Sequence, residues 1–245
     1  LKPLLIIQTG NAIEPARKRL GDFPHWFRIG MGLGEHEIHI IDARRIEKWP
    51  RPDTFSAAVI TGSAAMVTDQ ASWSVRTADW LRETVEMNKP VLGVCYGHQL
   101  LASALGGHVD YNPHGREIGS VTIHMHDAAK NDPLFRHVNS SFLAHVTHQQ
   151  SVIQAPANAV VLAYSDLEPC QAFRVGDSAW GLQFHPEFSA RAMRTYVDAR
   201  WDDLKQEGLN PQLVKRNISA TPLARRILRQ FVYAWRSIAR KKENL

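Results

Sequence analysis

Residues 91–100 read Val-Leu-Gly-Val-Cys-Tyr-Gly-His-Gln-Leu. An apolar run this short suits a fully buried strand. The stretch after Cys95 changes to helical spacing at once, so the chain must turn sharply on the cysteine. Gly93 and Gly97 flank that turn, and glycine is the residue that permits close backbone approach. A strand that hands a thiol to the first turn of a helix is the arrangement expected. There the positive end of the helix dipole and free backbone N–H groups favour thiolate over thiol.

The rest of the chain fits this unit into an α/β plan. Leu4–Thr9, His36–Asp42, Ala57–Thr61 and Pro90–Val94 are short strand candidates. A short helix around Phe23–Phe27, bracketed by glycines, falls between the first two. Helical periodicity over Trp73–Asn88 separates the last two, and Gly97–Leu105 carries the helix after Cys95. Alternation of apolar strands with helices predicts a doubly wound, flavodoxin-like, mostly parallel sheet with helices on both faces. After Gly107 the pattern shifts to Gly119–His124, Ser141–Val146, Ala159–Tyr164, Gln171–Val175 and Ala179–Phe184, with little helix between. That half reads as a smaller mixed or antiparallel region. Two helices, near Ala190–Gln206 and Pro222–Arg240, are expected to pack on it, in a single domain over residues 1–245. At 44% hydrophobic and 22% charged residues, 245 residues can bury a substantial core.

The formal net charge of +5 could suggest nucleic acid, but the excess gathers at the end: Arg225, Arg226, Arg229, Arg236, Arg240, Lys241 and Lys242. Leu223, Ile227, Phe231, Trp235 and Ile238 recur there at helical spacing, which reads as a packed helix with a solvated basic face. No nucleic-acid or membrane partner is therefore expected, and no apolar stretch reaches the roughly 20 residues that span a bilayer. Two cysteines make no disulfide framework, so a reducing, cytoplasmic setting is expected. Leu1–Thr9 is too short for a signal peptide and reads as the first strand.

In a doubly wound sheet, ligands gather beyond the carboxyl ends of the strands. Ile60-Thr61-Gly62-Ser63, Cys95-Tyr96-Gly97 and Phe184-His185-Pro186-Glu187 all end there on this reading. Together they offer what acyl transfer requires: Cys95 as nucleophile, His185 as proton carrier, and Glu187 to fix the imidazole. Backbone N–H groups at Tyr96 and near Gly62 would hold the oxyanion. A buried cysteine after a strand is often inert packing. The flanking glycines and the His-Pro-Glu segment together argue against that account.

These motifs resemble the class I glutamine amidotransferases, the triad-type glutaminases. Val-Leu-Gly-Val-Cys-Tyr-Gly-His-Gln-Leu is similar to their nucleophile elbow, Trp-Gly-Leu-Gln-Phe-His-Pro-Glu to their His/Glu segment, and Ile-Thr-Gly-Ser to their oxyanion strand. The resemblance implies a Cys95–His185–Glu187 triad, with Gly62 and Tyr96 as oxyanion donors. It also implies contacts to L-glutamine from Gln99 and from the loop Thr147-His148-Gln149-Gln150-Ser151. The chemistry implied is glutamine hydrolysis through a γ-glutamyl thioester, needing no metal or organic cofactor for that half-reaction. Ammonia would go to a synthetase on a separate chain, since nothing here resembles an ATP-binding loop. A γ-glutamyl peptidase using the same thioester is one alternative, and a non-catalytic binding or regulatory protein is another. Ala64-Ala65 and Gln149-Gln150 depart from the pattern of many relatives and bear on substrate contacts. Oligomeric state is not legible.

Other signals are weaker. His124-Met125-His126, with His145 and His148, lacks the acidic or cysteine ligands that would complete a metal set. Gly30-Met31-Gly32-Leu33-Gly34 precedes a strand instead of following one, so it is no dinucleotide fingerprint. Cys170 reads as incidental, and the aromatic cluster Phe23–Phe27 as a lid or an interface; Gly115-Arg116-Glu117 reads as a surface turn, the alternative being a place near the substrate mouth where Arg116 would meet a carboxylate.

Overall fold

The computed structural model describes residues 2–243, with the side chains of residues 241–243 excepted; Lys241 and Lys242 of the basic run lie outside the described side chains. The first half runs β1 (Leu4–Gln8), α1 (Glu14–Leu20), α2 (Phe23–Met31), β2 (Ile38–Asp42), β3 (Ala57–Ile60), α3 (Ser72–Glu86), β4 (Val91–Val94) and α4 (Tyr96–Ala104). It continues through β5 (His108–Tyr111), β6 (Glu117–Met125), β7 (Ser141–His148), β8 (Gln150–Gln154), β9 (Ala159–Tyr164), β10 (Ala172–Val175) and β11 (Ala179–Leu182). Four helices follow: α5 (Ala190–Ala199), α6 (Trp201–Gln206), α7 (Pro211–Arg216) and α8 (Pro222–Glu243).

Nine strands form one sheet in the order β2-β1-β3-β4-β11-β10-β9-β6-β7. The segment β2-β1-β3-β4-β11 is parallel, and the remaining four strands extend it antiparallel. The α/β reading holds, and the antiparallel half is a continuation of the main sheet. A separate ribbon, β5 against β8, completes the set. The strand order reverses between β1 and β3, which opens a crevice at the carboxyl edge there.

Burial alternates with period two. Leu4, Ile6, Ala57, Val59, Leu92 and Val94 face a core that includes Phe27, Phe231 and Trp235. Leu5, Ile7, Ala58, Ile60 and Val91 face Trp80, Leu81, Leu100 and Leu101 on the other side. The parallel strands are thus apolar on both faces because helices cover both. The apolar stripe of α8 packs on α2 and β7, as its spacing predicts.

Several boundaries differ from the sequence reading. A 3-10 turn over Glu35–Glu37, tied by the Gly34 N–H to Glu37 Oε2 at 2.9 Å, delays β2 until Ile38. The helix expected over 190–206 breaks at Arg200, which leaves helical geometry (φ −111°, ψ 17°). The aromatic cluster is neither lid nor interface: Phe23, Trp26 and Phe27 are buried in the core.

Beneath Cys95 backbone touches backbone. A Cβ at Gly93 would lie 2.3 Å from the Gly97 carbonyl oxygen, and one at Gly97 would lie 2.4 Å from the Ile60 carbonyl oxygen. Neither contact can be relieved by moving a side chain. Gly93→Ala is therefore expected to cost at least the ~1–3 kcal/mol typical of overpacking. Thermal unfolding should show this as a fall of several degrees in Tm.

Candidate active site

Four strand ends build the site. After β4, Cys95 takes φ 53° and ψ −106°, a left-handed conformation that side chains rarely adopt. It is held by its own N–H, which donates to the Leu182 carbonyl at 2.8 Å, and by the N-terminus of α4, where its carbonyl accepts from the Gln99 N–H at 3.1 Å. The first N–H groups of α4, beginning with Tyr96, have no intrahelical acceptor and stand beside the thiol.

After β11, the His185 N–H donates to the His145 carbonyl at 2.7 Å, a bridge that fixes the segment against β7. His185 Nδ1–H donates to Glu187 Oε1 at 2.7 Å, while Nε2 has no hydrogen-bond partner among the described residues. Phe188 stacks on the imidazole at 4.1 Å between centroids, and Phe23 lies parallel to it at 6.5 Å. The ring is clamped in orientation, with its free nitrogen available to Cys95.

After β1 and β3, Thr9 Oγ1 donates to the Thr61 carbonyl at 2.9 Å, and Ser63 Oγ donates to the Thr9 carbonyl at 3.0 Å. These bonds hold Gly62 in place. A Cβ there would sit 3.1 Å from His185 Cε1 and 3.6 Å from Cys95 Cβ. Gly62, Cys95 and His185 therefore converge on one point.

The electrostatics follow from burial and pairing. Burial pushes the Cys95 thiol up, but the charge of His185, with a further contribution from His148, brings it below its ordinary value. Burial pushes His185 down, and Glu187 with Cys95 outweighs that, so its pKa is raised. Both shifts favour a thiolate–imidazolium pair backed by a carboxylate.

A narrow cleft opens from Cys95 and is lined by Ser63 to Met66, Tyr96, Gln99, Arg116, His148, Gln149, Gln150 and Arg200, among others. Gln99, His148, Gln149 and Gln150 thus sit together with Cys95, although much of their hydrogen bonding is internal. Gln99 Nε2 donates to the Gln150 carbonyl (2.7 Å) and to Gln183 Oε1 (2.9 Å). Gln150 Oε1 accepts from the Val67 N–H at 2.9 Å. His148 Nδ1 lies 2.9 Å from the Gln150 carbonyl and Nε2 lies 3.0 Å from Glu117 Oε2. Both neighbours are acceptors, so both ring nitrogens carry hydrogen and His148 is an imidazolium. Burial opposes that charge, yet Glu117 raises its pKa overall. Glu117 is satisfied further by Ser165 Oγ (2.6 Å) and Gln171 Nε2 (2.7 Å).

Sequence reasoning misses this second histidine–carboxylate pair, whose members lie 31 residues apart. It also prefers a surface turn for Arg116 over a place at the substrate mouth. The structure buries that side chain and pairs it with Glu207 through two bonds of 2.7 and 2.8 Å. Arg200, at the α5–α6 break, carries no local signal in the sequence either. Elsewhere, His124 and His126 pack on Tyr164. Among the described residues no group of three His, Cys, Asp or Glu is placed to hold a metal. Cys170 is buried, and burial, reinforced by Glu168, pushes its thiol up. Among the described residues no helix is long and apolar enough to cross a membrane.

A family model described as glutamine amidotransferase class-I matches residues 37–200. Among curated proteins, the chain is 30% identical over 202 residues to gamma-glutamyl peptidase 4 of Arabidopsis thaliana, covering 80% of each. It is 40% identical over 110 residues to a glutamine-hydrolyzing GMP synthase subunit of Methanococcus maripaludis, covering 44% of this chain and 56% of that one. The match thus spans little more than half of that relative. Two solved structures share the fold. A glutamine amidotransferase of Thermotoga maritima superposes with a TM-score of 0.76 at 22% identity, covering 96% of this chain and 98% of that one. One from Methylobacillus flagellatus gives 0.77 at 22%, covering 96% and 95%.

Two outcomes are expected. Alkylation of Cys95 by iodoacetamide should persist as pH falls below the ordinary thiol range near ~8.5. It should drop only when pH passes the lowered folded value. In His185→Gln burial dominates, so the midpoint should move upward. For His148, a pKa raised on folding contributes stability that is fully present below ~6.5 and lost as pH rises through the folded value. The Tm deficit of Glu117→Gln should therefore be larger at pH 6 than at pH 9.

Proposed function

The chain belongs to the class I glutamine amidotransferases, and on that premise we propose that it cleaves L-glutamine through a γ-glutamyl thioester on Cys95. The observation that carries this is the convergence of Cys95, His185 and Gly62 at one point, with Glu187 holding His185 at 2.7 Å. The Cys95 thiolate attacks the side-chain carbonyl carbon of glutamine. The resulting oxyanion is held by the backbone N–H groups of Tyr96 and Gly62, donors typically worth about 2.7–4 kcal/mol each in such sites. His185 passes its proton to the amide nitrogen, the C–N bond breaks, and ammonia leaves. Water then gives a proton to His185 and attacks the thioester; the C–S bond breaks, releasing glutamate and restoring the Cys95 thiolate and the His185 imidazolium. Glu187 keeps Nδ1 protonated throughout and so directs Nε2 at the reacting atoms.

Gln99 and the loop 148–150 would position the glutamyl group. Gln99 spends its amide hydrogens internally, so its Oε1 is the atom it offers to the ligand. The ammonia would pass to a synthetase partner, a reading supported by relatives named as subunits of a glutamine-hydrolyzing GMP synthase. We read residues 1–245 as one catalytic domain, with α5 and α6 contributing to its rim.

A second reading has its own support. The relative aligned over 80% of both chains is named a gamma-glutamyl peptidase, whereas the synthase relatives align over 44% of this chain. The same steps would then release an amino acid or peptide amine instead of ammonia.

Mass spectrometry after rapid quenching, across glutamine and γ-glutamyl amides, tests both. A γ-glutamyl adduct of +129 Da is expected on Cys95 (roughly the mass of glutamine less ammonia). It should be absent in Cys95→Ala, and in Glu187→Gln it should form at least ~10²-fold more slowly. An adduct from γ-glutamyl peptides but not from glutamine would select the second reading. Turnover that survives Cys95→Ala would refute the mechanism.

A further inference from the structure

Arg116 and Arg200 stand together on the rim of the cleft that Cys95 opens into. Arg116 has its charge met by Glu207, whose carboxylate accepts two hydrogen bonds from it and is also approached by Gln149 Nε2 at 3.4 Å. Arg200 is in the opposite condition. Its Nε is buried with no partner, and among the described residues no ion pair or hydrogen bond engages its guanidinium. Burial and the neighbouring Arg116 both disfavour its charge, and Tyr196, Asp203 and Glu207 offset this only in part. A partly buried cation without a counterion is costly, and guanidinium cannot shed its proton near neutral pH. Two of the other cations near the cleft are held by carboxylates, His148 by Glu117 and Arg116 by Glu207, while His185 stands against both Glu187 and Cys95. Among the described residues Arg200 is thus a lining cation with no carboxylate hydrogen-bonded to it.

We propose that Arg200 is the carboxylate-recognition residue of this cleft, a specificity-determining subsite for the free carboxylate of the substrate. The planar fork of a guanidinium matches a carboxylate in two parallel hydrogen bonds. Arg116 stays neutralised by Glu207, so the subsite carries a single charge and suits a monoanionic group. The identity of the ligand rests on the γ-glutamyl reading; the existence of the subsite does not. Such a substrate can present a carboxylate from two sources, the α-carboxylate of the glutamyl group or the terminal carboxylate of an amino acid leaving group.

Calorimetric titration of the full-length Cys95→Ala protein separates them without turnover. The probes are L-glutamine, L-glutamine α-amide, γ-glutamylglycine and γ-glutamylglycinamide. Adding Arg200→Gln should weaken carboxylate ligands by about 10–100-fold, the range for a charged hydrogen-bonded contact. It should leave unchanged the ligand whose relevant carboxylate is already an amide. If the α-amide of glutamine is the insensitive ligand, the glutamyl carboxylate is the source. If γ-glutamylglycinamide is insensitive while γ-glutamylglycine is not, the leaving group is the source. Arg200→Lys, which keeps the charge and loses the fork, should fall between. Should Arg200→Gln fail to fold, Arg200→Lys and the carboxylate–amide pairs on the Cys95→Ala parent still decide.

The proposal is overturned if all four ligands weaken alike, if none changes, or if carboxylates and amides bind the parent equally. Failure of the γ-glutamyl reading looks different. Native Cys95 would then form no adduct, while Arg200-dependent carboxylate binding remained and upheld the subsite.

Discussion

The contact on which the site depends is the approach of bare backbone at Gly93 and Gly97. With hydrogen in place of Cβ, the first turn of α4 lies directly over the ends of β3 and β4. That approach forces the chain to reverse within one residue, and the residue that absorbs the reversal is Cys95 at φ 53°. A non-glycine residue held there costs on the order of 1–3 kcal/mol, which the surrounding packing must offset. The return is placement. The thiol stands at the helix N-terminus, beside N–H groups that no intrahelical carbonyl can claim, within reach of Gly62 and His185.

Around that point the protein sets two histidine–carboxylate pairs of different character. His185 has one nitrogen bound to Glu187 and one free, so it can exchange a proton. His148 has acceptors at both nitrogens and is locked as a cation against Glu117. The first pair suits proton transfer. The second contributes a fixed positive field that favours a thiolate at Cys95 without competing for its proton. Its carboxylate also binds Ser165 and Gln171, so the buried charge is supported on several sides.

The sequence exposes these parts unequally, for physical reasons. The elbow and the His-Pro-Glu segment are legible because geometry compresses their chemistry into short peptides: strand, tight turn and functional group are consecutive. The parallel strands are equally plain, since covering both faces leaves them almost wholly apolar. The ribbon of β5 and β8 is not legible. Gln150–Gln154 follows β7 after one residue and reads as a loop, and His108–Tyr111 buries one residue of four. Helix α1 escapes because only Ala16 is buried, so it carries no apolar stripe. Glu117 and Glu207 escape because their meaning lies in partners 31 and 91 residues away.

This division of legibility parallels a division of labour in the molecule. The groups of the proposed reacting centre come from the ends of parallel strands, where spacing is rigid and strongly dictated by the sheet. The groups on the rim come from the antiparallel extension and from the two ends of α6, which bring Arg116, Gln149, Arg200 and Glu207 together. The rim and the proposed centre are thus built from different elements, an arrangement in which one acyl-transfer centre can be fitted with different ligand edges. The chain is similar both to a gamma-glutamyl peptidase and, over less than half its length, to GMP synthase relatives, which is what such an arrangement permits. What distinguishes a release of ammonia from a release of an amino acid must therefore be sought in the charges that face the departing group, and among the described residues Arg200 is a rim cation to which no carboxylate is hydrogen-bonded.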